Sequence, residues 1–304
     1  MPDKSPRPTV RDVIHPAALD LKPRRIVCEA DRHVGRLEAE VLLAFVLKKD
    51  RTWLRVHDDA RLTTKQTKTY RVLVARRKRR EPIAYILGQK EFYGLPLHVD
   101  RNVLIPRPES ELVVDRVREI LKHEPSSTDL VWDVGTGSSA IALAIAKHIK
   151  PRKVIASDIS SKALTVAKKN AKNLKISNVA FFKANLLDTT MRRALETKKS
   201  PRLIITANLP YLPLSDRTKL DKDVVAFEPK TALFAKKNGL ELIEKLLRQL
   251  SSFDIHFHTL LIEYDPPQTK TLRTLARSIF PKAKLKIHKD LAKRDRVLEI
   301  TRSL

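Results

Sequence analysis

From residue 130 onward, short apolar runs alternate with stretches of helical periodicity. The apolar runs fall at residues 130–132, 154–157, 179–182, 203–206 and 260–263. The helical stretches fall at residues 140–148, 161–173 and 241–250. Such alternation is typical of a mostly parallel sheet with helices on both faces. The sequence therefore predicts a doubly wound α/β fold, which residues 284–287 and 296–300 extend as a C-terminal antiparallel hairpin.

The N-terminal part of the chain has only helical signals. Apolar residues at 37–47 recur at helical spacing, and Thr63 and Thr64 can cap a second helix that runs into basic residues 76–80. Residues 81–97 mix aromatics, glycines and prolines, which predicts extended strands and turns that form a hairpin. A chain of 304 residues exceeds the usual size of a single core. The predicted division is a small all-α domain at 1–80, a β-hairpin and proline linker at 81–108, and an α/β domain at 109–304.

The chain is strongly basic. It has 61 Lys and Arg against 35 Asp and Glu, a net charge of +26. Such an excess attracts polyanions such as RNA or ribosomes, or an acidic protein partner. A lysine-rich surface that is merely solvated explains the charge equally well, so both interpretations stay open.

Cysteine content and hydrophobic patterning predict the compartment. Cys28 is the single cysteine and cannot form an internal disulfide, and no Cys/His cluster has the spacing of metal ligands. The longest apolar run, 140–146, is too short to span a bilayer. The first eight residues lack the apolar core of a secretory signal and are expected to form a loose tail. We therefore expect a metal-free, cytoplasmic protein without a membrane segment.

Two glycines and two acids in the α/β part suggest a cofactor site. Gly135 and Gly137 follow the first strand, where they let the backbone approach a ligand, and Asp158 ends the second strand, where it can accept from a ribose diol. This pattern fits a dinucleotide or S-adenosylmethionine. Asp133 stands before the first glycine, where it can hold an ammonium group, and the third glycine of the dinucleotide fingerprint is missing. Both features favour S-adenosylmethionine, although Asp133 can also be a loop-capping carboxylate.

The segment 208–211, Asn-Leu-Pro-Tyr, follows the apolar run 203–205. The Asn208 side-chain oxygen and backbone carbonyls can accept hydrogen bonds from a planar NH2 group, and the Tyr211 ring can stack on it. The segment therefore predicts a pocket for an amide or an exocyclic amine. Taken alone, it also fits an ordinary turn after a strand.

Several motifs together resemble the release factor glutamine N5-methyltransferases of the HemK/PrmC type, within the class I S-adenosylmethionine-dependent fold. The matching segments are residues 37–44, 81–88, 91–95, 104–109, 133–142, 208–211, 289–292 and 295–297. The linker segments from 81 to 109 are the specific ones, since glycine loops and Asn-x-Pro-Tyr occur in many amino-methyltransferases.

The resemblance implies a role for each matching residue. S-adenosylmethionine would be bound by Asp133, Gly135, Thr136, Gly137, Ser138, Ser139 and Asp158, with Leu186 near the adenine and Asn208 touching both cofactor and substrate. The catalytic and substrate-binding residues would be Asn208, Leu209, Pro210 and Tyr211, which hold the glutamine of the Gly-Gly-Gln loop of class I release factors. The N-terminal helical domain would grip the release factor, and the protein is expected to be a monomer.

The sequence departs from the family pattern at several positions. Leu209 stands where the family has a first proline, which keeps a backbone carbonyl but removes the constraint on φ. Ser139 replaces a third loop glycine, Asn185 replaces an acid, and residues 234–239 replace a glycine-rich turn.

Two rival functions remain open at this point. A nucleic-acid adenine N6-methyltransferase is suggested by the net charge and by the Asn-Leu-Pro-Tyr segment, which looks like the loop of rRNA dimethyladenosine transferases. A catalytically weak relative that docks on ribosomes through its basic surface is the other.

Overall fold

A computed structural model describes residues 7–20, 29–123, 129–195 and 202–302. Residues 1–6 of the loose tail predicted for the first eight residues lie outside these ranges, as does Cys28. The chain forms two compact units, one of residues 1–88 with 222–227 and the other of residues 89–221 with 228–304.

The first unit is helical. Its helices are α1 (Val10–Asp20), α2 (Glu29–Leu47), α3 (Arg51–Val56), α4 (Thr64–Lys78) and α5 (Ile83–Leu87). Leu42 and Leu43 of α2 are buried in its core with Tyr70 of α4. Helix α4 begins as the sequence predicts, because the Thr63 side chain accepts from the backbone of Gln66 and the Gln66 side chain reaches back, which forms a capping box.

The second unit contains a sheet covered by helices. Its strands are β1 (Gln89–Phe92), β2 (Leu95–His98), β3 (Leu130–Val134), β4 (Lys153–Asp158), β5 (Val179–Lys183), β6 (Leu203–Ala207), β7 (Leu212–Pro213), β8 (Phe234–Ala235), β9 (Thr259–Glu263), β10 (Lys284–Lys289) and β11 (Asp295–Thr301). The helices that follow residue 88 begin with α6 (Glu111–His123), α7 (Ala140–His148) and α8 (Ser161–Asn173). The next two are α9 (Thr189–Leu195) and α10 (Lys222–Phe227), and α10 belongs to the first unit. The last helices are α11 (Lys230–Leu233), α12 (Glu241–Ser252) and α13 (Thr269–Ile279).

The main sheet has seven strands in the order β10-β11-β9-β6-β3-β4-β5. Strands β3, β4, β5, β6 and β9 are parallel, and β11 is antiparallel to both β9 and β10. The predicted doubly wound sheet with a C-terminal antiparallel hairpin is therefore confirmed. Strand order reverses beside β3, so the carboxyl ends of β3, β4 and β6 border the crevice where such sheets bind ligands.

Both faces of the sheet are buried. Along β3, Val131 and Trp132 point to opposite faces and belong to separate hydrophobic clusters. The cluster around Trp132 is covered by α12 and α13, and the one around Val131 by α6 and α7. Every residue of α7 from 140 to 146 is buried, because its alanines let the helix lie close to the strands. This double coverage explains why the strands read as continuous apolar runs.

The segment 81–97 differs in part from its prediction. Residues 89–98 form the expected antiparallel hairpin of β1 and β2, but Ile83–Leu87 is a short helix instead of a strand. Pro82 precedes the helix with φ −55°, and Gly88 ends it in the left-handed region at φ 68°. These positions suit the two residues, because proline fixes φ for a helix start and glycine has no steric penalty at a helix end. The functional division at residues 80 and 108 stays a prediction.

Candidate active site

A cavity of about 340 Å3 lies in the second unit, at the carboxyl ends of β3, β4 and β6. Its wall contains residues that follow these three strands, together with Phe92, residues 101–104, 106 and 107, and residues 229, 231 and 232. Its volume is in the range of small-molecule sites. The cavity therefore occupies the place where the topology of the sheet predicts a ligand.

The glycine loop between β3 and α7 forms one wall. Gly135 and Gly137 have φ of 69° and 55°, and Ser139 has φ of 67°. The loop is tied to β4, because the Thr136 N–H donates to the Ser157 carbonyl at 2.9 Å. A Cβ atom on Gly137 would meet no heavy atom within 4 Å, so the space above this part of the loop is open.

Asp133 is a buried acid at the base of the cavity. Its exposed fraction is 2 %. Its carboxylate accepts from the Thr136 hydroxyl and, at 2.8 Å, from the Thr206 hydroxyl. Burial raises the pKa of Asp133 to about 6, and the two hydroxyl hydrogen bonds oppose that rise. Asp133 thus ties the loop to β6 and also faces the cavity.

Asp158 ends β4 and lies across the loop. One carboxylate oxygen accepts from the Gly137 N–H at 2.9 Å, and the other accepts from the Ser160 N–H at 2.8 Å. Burial raises the pKa of this carboxyl above its usual value, while the two backbone donors favour the charged form. Each oxygen keeps a lone pair for a ligand, since a carboxylate oxygen accepts more than one hydrogen bond.

Asn208 follows β6, and its amide group is held by two acceptors. Its Nδ2 atom donates to the Ser110 Oγ atom and to the Glu263 Oε2 atom, each at 2.9 Å. Among the residues that the structure describes, no donor is bonded to Asn208 Oδ1. These two hydrogen bonds therefore fix the orientation of the Asn208 side-chain amide. They leave its Oδ1 atom available to accept a hydrogen bond from a ligand.

Glu263 is the buried centre of this network, with an exposed fraction of 1 %. Its Oε1 atom accepts from the Tyr211 hydroxyl at 3.3 Å, and Ser110 is a further hydrogen-bond partner. Burial raises the pKa of Glu263 to about 7, although Ser110, Arg296 and Tyr211 favour the charged form.

The backbone of Tyr211 is fixed by Gln268 and Gly239. The Gln268 Nε2 atom donates to the Tyr211 and Asn238 carbonyls, both at 2.7 Å. A Cβ atom on Gly239 would lie 1.8 Å from the Tyr211 oxygen. Only glycine fits at this close approach, in the segment where the sequence departs from the glycine-rich turn of the family.

Arg107 and Glu228 join two other parts of the cavity wall. The Arg107 Nη2 atom donates to Glu228 Oε1 at 2.6 Å, and the Ile105 N–H donates to Glu228 Oε2 at 3.1 Å. The Glu228 side chain is 1 % exposed. This ion pair holds the proline-containing segment 104–108 next to residues 229–232.

Comparison with known proteins matches both parts of the chain. A family model described as the PrmC N-terminal domain matches residues 26–88, and one described as a methyltransferase domain matches residues 125–289. A release factor glutamine methyltransferase from Rhodopirellula baltica is 36 % identical over 272 residues, which cover 88 % of this chain and 90 % of that protein. One from Coxiella burnetii is 38 % identical over 80 % of this chain and 83 % of that protein.

This chain belongs to the release factor glutamine methyltransferase family. The resemblance inferred from its motifs is thereby confirmed. Among solved structures, the hMettl16 catalytic domain in complex with MAT2A 3′UTR hairpin 1 has a TM-score of 0.58 at 14 % identity and covers 85 % of this chain and 90 % of that chain. This likeness shows a shared fold. No helix in the described part of this family member is long and apolar enough to cross a membrane.

Most residues that the sequence predicts for the site lie around one cavity. Those in its wall are Asp133, Gly135, Thr136, Gly137, Ser138, Asp158, Leu186, Asn208, Leu209 and Pro210. Two others stand behind the wall: Ser139 is fully buried beneath the loop, and Tyr211 turns its hydroxyl to Glu263. The roles of all these residues in this family member stay predictions.

No sequence pattern by itself identifies Ser110, Glu263, Arg107 or Glu228 as parts of the site. One signal for Glu263 was present, because an acid that ends a buried apolar strand faces the ligand edge of a parallel sheet. Its partner Asn208 is 55 residues away, and the sequence has no pattern that pairs the two.

Proposed function

We propose that this protein transfers a methyl group from S-adenosylmethionine to the side-chain amide nitrogen, N5, of the glutamine in the Gly-Gly-Gln motif of peptide chain release factors. The observation that carries the proposal is the fixed amide of Asn208, whose Nδ2 atom is held by Ser110 and Glu263 and whose oxygen stays available. An acceptor oxygen at this place suits the N–H of a primary amide.

The residues around the cavity fit S-adenosylmethionine. When bound, it would supply an electrophilic methyl group on a sulfonium sulfur. Asp158 would accept from its ribose hydroxyls, Asp133 would face its ammonium group, and Leu186 would pack near the adenine. The open space above Gly137 gives the loop backbone access to the ligand. The remaining cofactor contacts would come from Gly135, Thr136, Ser138 and Asn208, while Ser139, being buried, would support the loop.

The chemistry needs orientation more than a strong base. An amide nitrogen is a poor nucleophile because its lone pair is delocalised. If the Asn208 oxygen and the Leu209 carbonyl accept its two N–H bonds, the lone pair points at the methyl carbon for an in-line displacement. In that transfer the new carbon–nitrogen bond would form as the methyl–sulfur bond breaks, and the nitrogen would release one proton to water. Pro210 would stiffen the loop, and the Tyr211 ring would pack against the amide plane.

The degree of likeness favours an amide over an adenine as the acceptor. Release factor glutamine methyltransferases match at 36–38 % identity over 80–88 % of the chain, whereas the RNA-bound neighbour is 14 % identical. We further infer that the N-terminal unit grips the release factor, that the protein is a cytoplasmic monomer, and that its charge of +26 draws it weakly toward RNA or ribosomes.

One assay tests the proposed reaction and its acceptor. The purified protein is incubated with S-adenosylmethionine carrying a labelled methyl group and is offered a class I release factor and ribosomal RNA in parallel. We expect label on the Gly-Gly-Gln peptide by mass spectrometry and none on the RNA. Asn208→Ala should abolish transfer while its circular dichroism stays that of the wild type. An unmodified peptide would overturn the proposal, and nuclease-sensitive label would support the adenine alternative.

A further inference from the structure

Glu263 lies behind Asn208 and does not form part of the cavity wall. It ends β9, which is paired with β6 so that Ile262 lies opposite Ala207, the residue before Asn208. The pairing of these two parallel strands sets Glu263 beside Asn208 at the carboxyl edge of the sheet. Its carboxylate accepts from Asn208 Nδ2 at 2.9 Å and from the Tyr211 hydroxyl at 3.3 Å.

We propose that Glu263 is a positioning residue, which acts as an ionised acceptor to keep the Asn208 oxygen toward the substrate amide. This inference rests on the glutamine methylation proposed above. It names the residue that sets the orientation of the Asn208 side chain in that reaction.

The chemistry of the asparagine side chain makes such a residue necessary. The two ends of an amide have nearly the same shape, but one donates two hydrogen bonds and the other only accepts. A flipped Asn208 would turn its NH2 group to the substrate N–H bonds, which need an acceptor. Ser110 alone does not prevent the flip, because a hydroxyl both donates and accepts. An ionised carboxylate only accepts, so a flipped Asn208 would set oxygen against oxygen at Glu263.

The groups around Glu263 have opposing effects on the ionisation of its carboxyl. The charged groups that act on it are Arg296 on β11, which favours the carboxylate, and Glu109 just before α6, which opposes it. The hydrogen-bonding groups are Ser110, Asn208 and Tyr211. Burial raises the pKa of Glu263 to about 7. A protonated Glu263 presents one O–H donor and no longer selects the productive orientation of Asn208.

The test compares Glu263→Gln with the wild type in the full-length protein. Methylation of the release factor is followed at saturating S-adenosylmethionine between about pH 6 and pH 8.5, a range centred on the raised pKa. We expect the wild-type kcat to rise with pH through about 7. The Gln variant should lose this inflection, and its kcat at the upper end should fall by about tenfold to a hundredfold, as for other displaced reactive groups. The KM for the release factor should stay within about twofold, because docking contacts outside the amide are unchanged.

Glu299→Gln is the matched control. Glu299 is a half-buried acid on β11 that pairs with Arg116 and His288 and is not in the cavity wall. Its substitution removes a paired acid from the same sheet but should leave the pH profile of kcat unchanged. Cofactor binding by calorimetry and circular dichroism report whether each variant is folded.

The role of Glu263 and the proposed function are tested by different results. A wild-type protein that leaves the release factor unmodified contradicts the proposed function itself. If the wild type is active, a Gln variant with wild-type kcat and pH profile overturns the role of Glu263. Should the Gln variant not fold, Glu263→Asp keeps the charge but draws the carboxylate away from Asn208 Nδ2, and a wild-type kcat in that variant would overturn the role as well.

Discussion

The Leu209 Cδ2 atom lies 2.8 Å from the point where a Cβ atom on Gly135 would stand. Leu209 is 3 % exposed and packs in the hydrophobic cluster that contains Trp132 and Ile205. The leucine that replaces a family proline is thus a buried contact between the segment 208–211 and the glycine loop. Glycine suits this position for two reasons: its φ of 69° lies in the left-handed region, and Leu209 leaves no room for a side chain.

Gly135→Ala should weaken cofactor binding. The new methyl group would collide with Leu209, and an alanine in the left-handed region costs ~1–2 kcal/mol. We expect S-adenosylmethionine affinity, measured by calorimetry, to fall by about tenfold or more, since that is the effect of 1.4 kcal/mol on a binding constant. The double variant Gly135→Ala/Leu209→Ala removes the collision but not the strain, so it should recover part of the affinity. Equal affinities of the single and double variants would show that the contact with Leu209 is unimportant.

Gly239→Ala should disturb the segment 208–211, although Gly239 lies about 30 residues away in the sequence. The added Cβ atom would overlap the Tyr211 carbonyl and approach the Gln268 side chain, so the loop must move or its hydrogen bonds must break. We expect methyl transfer to fall by about a hundredfold, as for other small displacements at a reacting centre. The rate is measured with a saturating release factor.

Gly94→Ala is the control for that substitution. Gly94 has a similar φ of 75°, but a Cβ atom there would meet no heavy atom within 4 Å. It therefore carries the backbone strain without the collision, and its activity should stay near that of the wild type. Similar losses in the two variants would assign the effect to strain alone.

Removal of Arg107 should destabilise the protein more than neutralisation of Glu228. Arg107→Ala leaves a buried carboxylate without its partner, which typically costs ~3–5 kcal/mol. Glu228→Gln keeps the shape and the acceptor for the Ile105 N–H. Urea denaturation of both single variants and of the double variant gives the coupling energy. If Arg107→Ala alone were as stable as the wild type, the pair would have no role in holding the wall.

Substitution of Glu263 should change how stability depends on pH. The carboxyl titrates near 4.5 when unfolded and at about 7 when folded. Because the folded state binds the proton more tightly, the wild-type free energy of unfolding falls as pH rises between these values and then levels off. Gln does not titrate at this site. The stability of Glu263→Gln relative to the wild type should therefore increase across this window by up to ~3 kcal/mol.

Denaturant midpoints measured from about pH 4.5 to pH 8 check this trend. Glu244→Gln should behave differently, because hydrogen bonds and ion pairs from Lys237 and Arg248 hold the pKa of Glu244 below its usual value. Neither cation titrates in this window, so the stability of Glu244→Gln relative to the wild type should be constant above about pH 5. A constant difference for Glu263→Gln over the same range would contradict the raised pKa.

Local patterns in the sequence predicted much of the fold. The helices at Ala140–His148 and Ser161–Asn173 have the predicted bounds, since apolar periodicity and capping residues act within a few positions of the chain. The short helix Ile83–Leu87 was wrongly predicted as extended, because aromatics and prolines in that segment favour strands and turns. Its stabilising contacts, such as those of Ile86 in the hydrophobic core of the helical unit, involve residues that are distant in the sequence.

In the candidate site, too, some residues could be predicted from the sequence and others could not. Asp133, Gly135, Asp158 and Asn208 could be named from the sequence because each follows a recognisable strand, and parallel strands bring such positions to one edge. Their hydrogen-bond partners could not be named. Glu263 and Ser110 are 55 and 98 residues from Asn208, and they meet it only because β9 pairs with β6 and the segment before α6 folds against the same edge. Local sequence patterns therefore identified residues that line the cavity, whereas long-range strand pairing, which no local pattern encodes, set the orientation of the Asn208 amide.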